Sequence, residues 1–197
     1  MKYSIITIGR EYGSGGRIIA KQVAETLGIA FYDKELIHLA AQKTGLSEEY
    51  ISSSATHHKA NKFFYNLIFS SDNLPVSDQL YIAETDIIKK VSDDGPCVIV
   101  GRCADYILRE RQDCLKIFIH APLEERIARA KNDYGISEDI ENFVQKTDKE
   151  RSAHYDYFTN QEWGKAQNYH MTINSTVGLD MAVKLIIAAA TGGEVNK

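Results

Sequence analysis

Gly13-Ser14-Gly15-Gly16 places three glycines within four residues, with Arg10 shortly before them and Arg17 directly after. Glycine tolerates backbone conformations that turn successive N–H groups toward one point. An amphipathic stretch starts at Arg17, so the positive end of a helix dipole is aimed at that point too. The chemistry such a loop supports is the binding of an anion, above all a phosphate. The segment nevertheless fails the pattern G-x-x-x-x-G-K-[ST]. With Gly15 as the second glycine of that pattern, the first becomes Arg10, the lysine position is Gly16 and the hydroxyl position is Arg17. A plain glycine turn between strand and helix has the same composition; the two flanking arginines favour the phosphate reading.

These groups need a scaffold, and the hydrophobic pattern supplies one. Short apolar runs rich in β-branched residues occur at 3–8, 29–32, 97–100, 115–119 and 169–173. Helical periodicity separates them at 17–27, 34–44, 103–110, 123–132, 137–157 and 177–190. This alternation predicts a three-layer α/β domain with a five-stranded parallel sheet, covered by helices on both faces. The stretch 47–94 exceeds an ordinary crossover and reads as a helical insert, with a loop near 70–76. The charged segment 137–157 reads as a second element able to move. All of it fits one domain spanning 1–197.

Ligands of parallel sheets bind beyond the carboxyl ends of the strands, so the residues just after each run are the ones to inspect. Asp33 follows the second run, Gly101-Arg102-Cys103 the third and His120 the fourth. Asp33 has two readings that the sequence leaves open, a helix N-cap alone or an N-cap that also binds ligand. Arg102, after a buried strand and a glycine, is expected to contact a phosphate or a base.

Bulk properties narrow the partners. The net charge is −4, which does not favour a nucleic-acid surface. No apolar stretch approaches the ~20 residues of a membrane span, and the N-terminal residues lack the features of a signal peptide. A cytoplasmic protein without membrane or nucleic-acid partners is expected. Cys97, Cys103 and Cys114 lack metal-ligand or disulfide spacing. His57-His58 has no acidic or cysteine partner at helical spacing and reads as a solvent-facing pair.

Taken together, several segments resemble the cytidylate kinase-like branch of the nucleoside-monophosphate kinases, within the P-loop NTPases. The similarity runs from end to end. The segment 10–17 stands where that family has its Walker A loop, and Val100-Gly101-Arg102 resembles its Gly-Arg-Asp segment. Residues 116–121 with Glu124-Glu125-Arg126 resemble the fourth strand and lid start, and Asp148-Lys149-Glu150-Arg151 resembles an Asp-x-x-Arg at the lid's end. The chain departs from the family at informative places. The Walker lysine falls on Gly16, its hydroxyl region on Arg17 and Ile18, the Asp after Gly-Arg on Cys103, and an earlier lid arginine on Val144.

The resemblance implies a P-loop kinase that transfers a phosphoryl group from ATP, with Mg²⁺, to a nucleoside monophosphate or a related small acceptor. Arg17 is expected to replace the absent lysine, with Arg10 second, and Arg151 and Lys149 to act from the lid. Phosphate binding is expected of Arg10, Gly13, Ser14, Gly15, Gly16, Arg17, Ile18, Arg126 and Arg129. Arg126 and Arg129 have an equal alternative as a solvated helix face. Asp33 and Arg102 are expected to bind the acceptor. The other class of function is a nucleotide-binding regulatory protein without efficient transfer. The aromatic residues of the insert could offer a homodimer surface.

Overall fold

The structure, a computed structural model, describes residues 1–33, 36, 39 and 75–193. Its sheet contains β1 (Ile5–Arg10), β2 (Ala30–Tyr32), β3 (Cys97–Val100), β4 (Cys114–His120) and β5 (Met171–Asn174). All pairings are parallel, in the order β2-β3-β1-β4-β5. The fold class expected from the sequence is therefore the one observed. β1 is the central strand, so its carboxyl end opens between the ends of β3 and β4, where the strand order runs outward in both directions.

Six α-helices accompany the sheet among the described residues: α1 (Gly16–Leu27), α2 (Val76–Asp94), α3 (Ala104–Ile107), α4 (Leu123–Asn132), α5 (Ile140–Thr159) and α6 (Leu179–Thr191). Side chains alternate across β1. Ile6 and Ile8 join Ile19, Val23 and Ile186 in a core under α1 and α6. Ile5 lies in the opposite core with Leu80, Ile87 and Ile88 of α2, Ile107 of α3 and Tyr155 of α5. Ile19, Ala20, Val23 and Ala24 recur at helical spacing and are buried, and each large aliphatic side chain among them contributes about 1.5–3 kcal/mol. That packing holds the N-terminus of α1 against the carboxyl end of β1.

Several boundaries differ from the sequence reading. β1 starts at Ile5 because the N–H groups of Lys2 and Tyr3 bond instead to Ala190 of α6. It extends to Arg10, which pairs with Ile119 of β4. Arg10 is thus a strand residue rather than a loop residue. α3 covers only Ala104–Ile107, preceded by Arg102 and Cys103 at φ 58° and 55°. β5 begins two residues late, after a 3-10 turn at Ala166–Asn168. The C-terminal part of the expected insert, α2, contributes to the main core rather than packing by itself. The rest of that insert, the helix expected at 34–44 apart from Leu36 and Leu39, and His57-His58 lie outside the described residues.

Candidate active site

After Arg10 the chain turns through residues 11–15 into α1. Gly13 and Gly15 adopt left-handed backbone, with φ of 78° and 80°. A Cβ on Gly13 would also collide with the carbonyl oxygen of Arg126, so the loop lies directly on the α4 backbone. Ser14 is wholly buried and staples the loop from within. Its Oγ donates to the Glu11 carbonyl at 2.9 Å and accepts from the Gly16 N–H at 3.4 Å. The first-turn N–H groups of α1 have no acceptor within the helix. Gly16 and Arg17 of that turn border a cavity of about 310 Å³, lined also by Arg10, Glu11, Tyr12, Gly13, Gly15, Tyr134 and Arg151.

Cations surround this cavity. Gly16 is helical, so its backbone does not require glycine. Space does: a Cβ there would lie 2.6 Å from Arg10 Cβ and 3.1 Å from Arg10 Cγ. The Arg10 side chain therefore lies over Gly16. Its Nη1 takes the room a Cβ on Gly101 would need, and its Nη2 stands 3.7 Å from Asp33 Oδ1. Burial and then the nearby Arg151 push the Arg10 guanidinium down to about 9, against the opposing pull of Asp33. It stays charged at neutral pH. Arg17 Nε lies 2.5 Å from Asp33 Oδ2, and its side chain is 51% exposed. Arg151 donates from Nη1 to the Arg10 carbonyl at 3.1 Å and stands 5.4 Å from the Tyr12 ring centroid. Burial lowers its pKa as well.

Arg126 and Arg129 support the loop instead of lining the cavity. Arg126 is buried; its Nε donates to the Ala121 carbonyl at 3.0 Å and its Nη1 to the Tyr12 carbonyl at 3.3 Å. It also pairs with Asp148 and, at 3.3 Å, with Glu11. Arg129 Nη1 donates to the Gly13 carbonyl at 2.7 Å. Asp148 in turn accepts the Tyr12 N–H at 2.7 Å, and burial raises its pKa despite that bond and Arg126. Tyr12 packs edge-on against Phe143 and Tyr134, with centroids 5.2 and 5.8 Å away. Elements α4 and α5 thus grip the loop through its backbone.

On the β3 side, Arg102 Nη1 stands 3.2 Å from the carboxylate of Glu84, which α2 buries almost completely. Burial raises the pKa of Glu84, and Arg102 opposes that shift. Of the residues singled out from sequence, Arg10, Gly13, Gly15, Gly16, Arg17 and Arg151 come together around the cavity. Asp33 joins Arg10 and Arg17, while Ser14 turns its hydroxyl inward. Ile18 in the first turn of α1 and the exposed Lys149 on α5 stand outside the lining. Tyr12, Tyr134, Glu11 and Glu84 escaped the sequence reading. Only Tyr12 and Glu11, inside the motif itself, carried a signal that could have found them.

Solved structures share this architecture. An uncharacterized protein from Eubacterium ventriosum ATCC 27560 is 26% identical, over 95% of this chain and 98% of that one, with a TM-score of 0.72. A shikimate kinase from Acinetobacter baumannii is 18% identical, over 98% and 94%, with a TM-score of 0.54. A gluconokinase from Sinorhizobium meliloti 1021 is 13% identical, over 95% and 91%, with a TM-score of 0.57. The last two likenesses establish the fold alone. No curated protein matches the chain in sequence. The model of the cytidylate kinase-like family matches residues 5–177. With a glycine loop at the end of the central strand, a kinase fold and that match over most of its length, the chain belongs to the cytidylate kinase-like family.

Proposed function

We propose that this protein transfers the terminal phosphoryl group of ATP to a nucleoside monophosphate or a related small phosphorylated acceptor. The observation that carries this reading is the cavity at the N-terminus of α1, bordered by loop backbone and by Arg10, Arg17 and Arg151. Phosphoryl transfer requires positioning and neutralisation of charge on the moving group more than covalent chemistry. Guanidinium groups in a partly buried site neutralise such charge strongly and donate two bonds to one phosphate. The ATP phosphates lie against residues 13–17, and the acceptor lies toward Asp33 and Arg102. Glu84 holds Arg102 in place through their 3.2 Å contact.

Mg²⁺ is the usual companion of ATP in such kinases. Among the described residues, no group of three or more His, Cys, Asp or Glu is arranged to hold a metal ion. Ser14 Oγ is engaged with Glu11, and Asp33 with two arginines. The side chains therefore do not form a metal nest, and in this reading Mg²⁺ arrives on the nucleotide phosphates.

A second reading is a nucleotide-binding regulatory protein without efficient transfer. The inward-turned Ser14 hydroxyl and the arginine at the usual hydroxyl position favour it. A thermal-shift panel of nucleotides with and without Mg²⁺, followed by product analysis, separates the two. A nucleotide at a hundredfold excess over its Kd adds about 2.7 kcal/mol of stability. Stabilisation with turnover supports the kinase; stabilisation without turnover supports the binder; no stabilisation by any nucleotide removes both.

A further inference from the structure

We infer that Arg10 supplies the cation of the missing P-loop lysine, through an exchange of glycine and cation between the two ends of the loop. This rests on the nucleotide-binding reading of the cavity above. The usual pattern has glycine first and lysine seventh; here arginine stands first, at Arg10, and glycine seventh, at Gly16. The two changes are one in space. The loop folds back so that Arg10 Cβ and Cγ occupy the volume beside Gly16, 2.6 and 3.1 Å from where its Cβ would be. Gly16 has helical backbone, so space is the reason for glycine there, taken first by Arg10 and then by Ile119 Cβ at 3.3 Å.

Beyond Gly16, the guanidinium passes over Gly101, whose φ of 73° and missing side chain give it room. Arg10 is one of the residues that line the cavity. Arg17, one position further along, competes poorly for the role. It is half exposed, and its Nε is bound to Asp33 at 2.5 Å, whereas Arg10 stands 3.7 Å from that carboxylate. The tight partner holds Arg17 at the rim, and the loose one leaves Arg10 able to turn to a phosphate. An arginine reaching a phosphate from the strand end forms two parallel bonds where a lysine forms a point contact. A side chain that starts on β1 instead of α1 meets the phosphates from the opposite end of the loop.

The test measures ATP, ADP and AMP binding by calorimetry to wild type, Arg10→Gly, Arg10→Lys, Gly16→Lys and the double variant Arg10→Gly/Gly16→Lys. Melting temperatures and near-UV circular dichroism check that each folds. Arg10→Gly is expected to weaken ATP by about tenfold to a hundredfold, the range for one charge-assisted contact. AMP binding should change less than about threefold. Gly16→Lys alone, forced against Arg10, should weaken ATP as well. The double variant, with room restored, should regain most of the loss.

A merely structural role for Arg10 would lower the melting temperature and weaken all three nucleotides alike, with no rescue by the double variant; that result overturns the proposal. So does unchanged ATP affinity in Arg10→Gly, or in Arg10→Lys together with unimpaired binding by Gly16→Lys. If wild type itself binds no nucleotide, the underlying reading of the cavity falls, and the exchange falls with it. Wild-type binding with indifferent Arg10 variants refutes the exchange alone.

Discussion

At the scale of single residues, the loop is shaped by what its glycines exclude. Gly13 combines a left-handed backbone with a carbonyl oxygen of Arg126 in the space a side chain would need. Gly13→Ala therefore strains the backbone by roughly 1–2 kcal/mol and pushes the loop off α4. We expect a total loss of about 3 kcal/mol by denaturant unfolding, together with loss of nucleotide binding; an unperturbed variant contradicts this account of the loop. Arg17→Ala behaves differently. Its side chain is half exposed and tied to Asp33, so turnover should fall about tenfold, less than in Arg10→Ala. A larger loss in Arg17→Ala than in Arg10→Ala would return the lysine's role to Arg17. Read from the sequence, Arg17 ranks first and Arg10 second, an order drawn from position along the loop alone. Spacing along the chain says nothing of a turn that brings residue 10 back over residue 16.

At the scale of elements, α4 and α5 hold the loop through main-chain groups and a buried pair. Arg126→Met leaves the half-buried Asp148 without its paired cation, with only Arg151 nearby, and two carbonyls without their donor. Breaking such a pair costs about 3–5 kcal/mol. Asp148→Asn keeps an oxygen for the Tyr12 N–H and should cost clearly less than Asp148→Ala, a difference that denaturant melts resolve. The same contacts make α5 responsive to what the loop binds. Hydrogen exchange across residues 137–157 should slow when nucleotide is added, because Asp148, Arg151 and Phe143 all touch the loop. Equal exchange with and without a nucleotide that binds would remove α5 from the mechanism.

Much of this level was legible in the sequence. Cys97–Val100 and Leu123–Asn132 stand where periodicity put them, since a fully apolar four-residue strand and a helix with a clean polar face are hard to misread. α3 is shorter than expected mainly at its C-terminal end, where residues 108–110 leave the helix for turns closed by the Arg109 N–H on the Tyr106 carbonyl and the Arg111 N–H on that of Leu108. Left-handed backbone at Arg102 and Cys103 delays its start by one residue. The Asp148–Arg151 spacing placed both on one helix face, yet which main-chain groups they reach depends on how α5 docks. Arg126 and Arg129 read equally as phosphate ligands or as a solvated helix face, and spacing could not show that they also donate to loop carbonyls.

At the scale of the whole molecule, two cores clamp the sheet from its opposite faces. His154 of α5 lies near Arg102, beside the stacked rings of Tyr81 and Phe158. Burial, and then the charge of Arg102, pushes its pKa down from 6.5 to about 4. The unfolded chain therefore binds a proton that the folded chain refuses between those values. That part of the stability is present above pH 6.5 and is lost as pH falls toward 4. His154→Phe should flatten this stretch of the stability-against-pH curve relative to wild type; parallel curves contradict the burial of a neutral imidazole.

The central claim is transfer through the arginine-lined cavity, and incubation with ATP, Mg²⁺ and each nucleoside monophosphate tests it most directly, with phosphorus NMR following the products. The account predicts that one acceptor disappears as its diphosphate and ADP rise in equal amounts, and that Arg10→Ala abolishes the reaction without unfolding the protein. ATP that binds wild type but never gives its terminal phosphoryl group to any monophosphate would contradict it, and would leave a nucleotide-binding regulator in the place of a kinase.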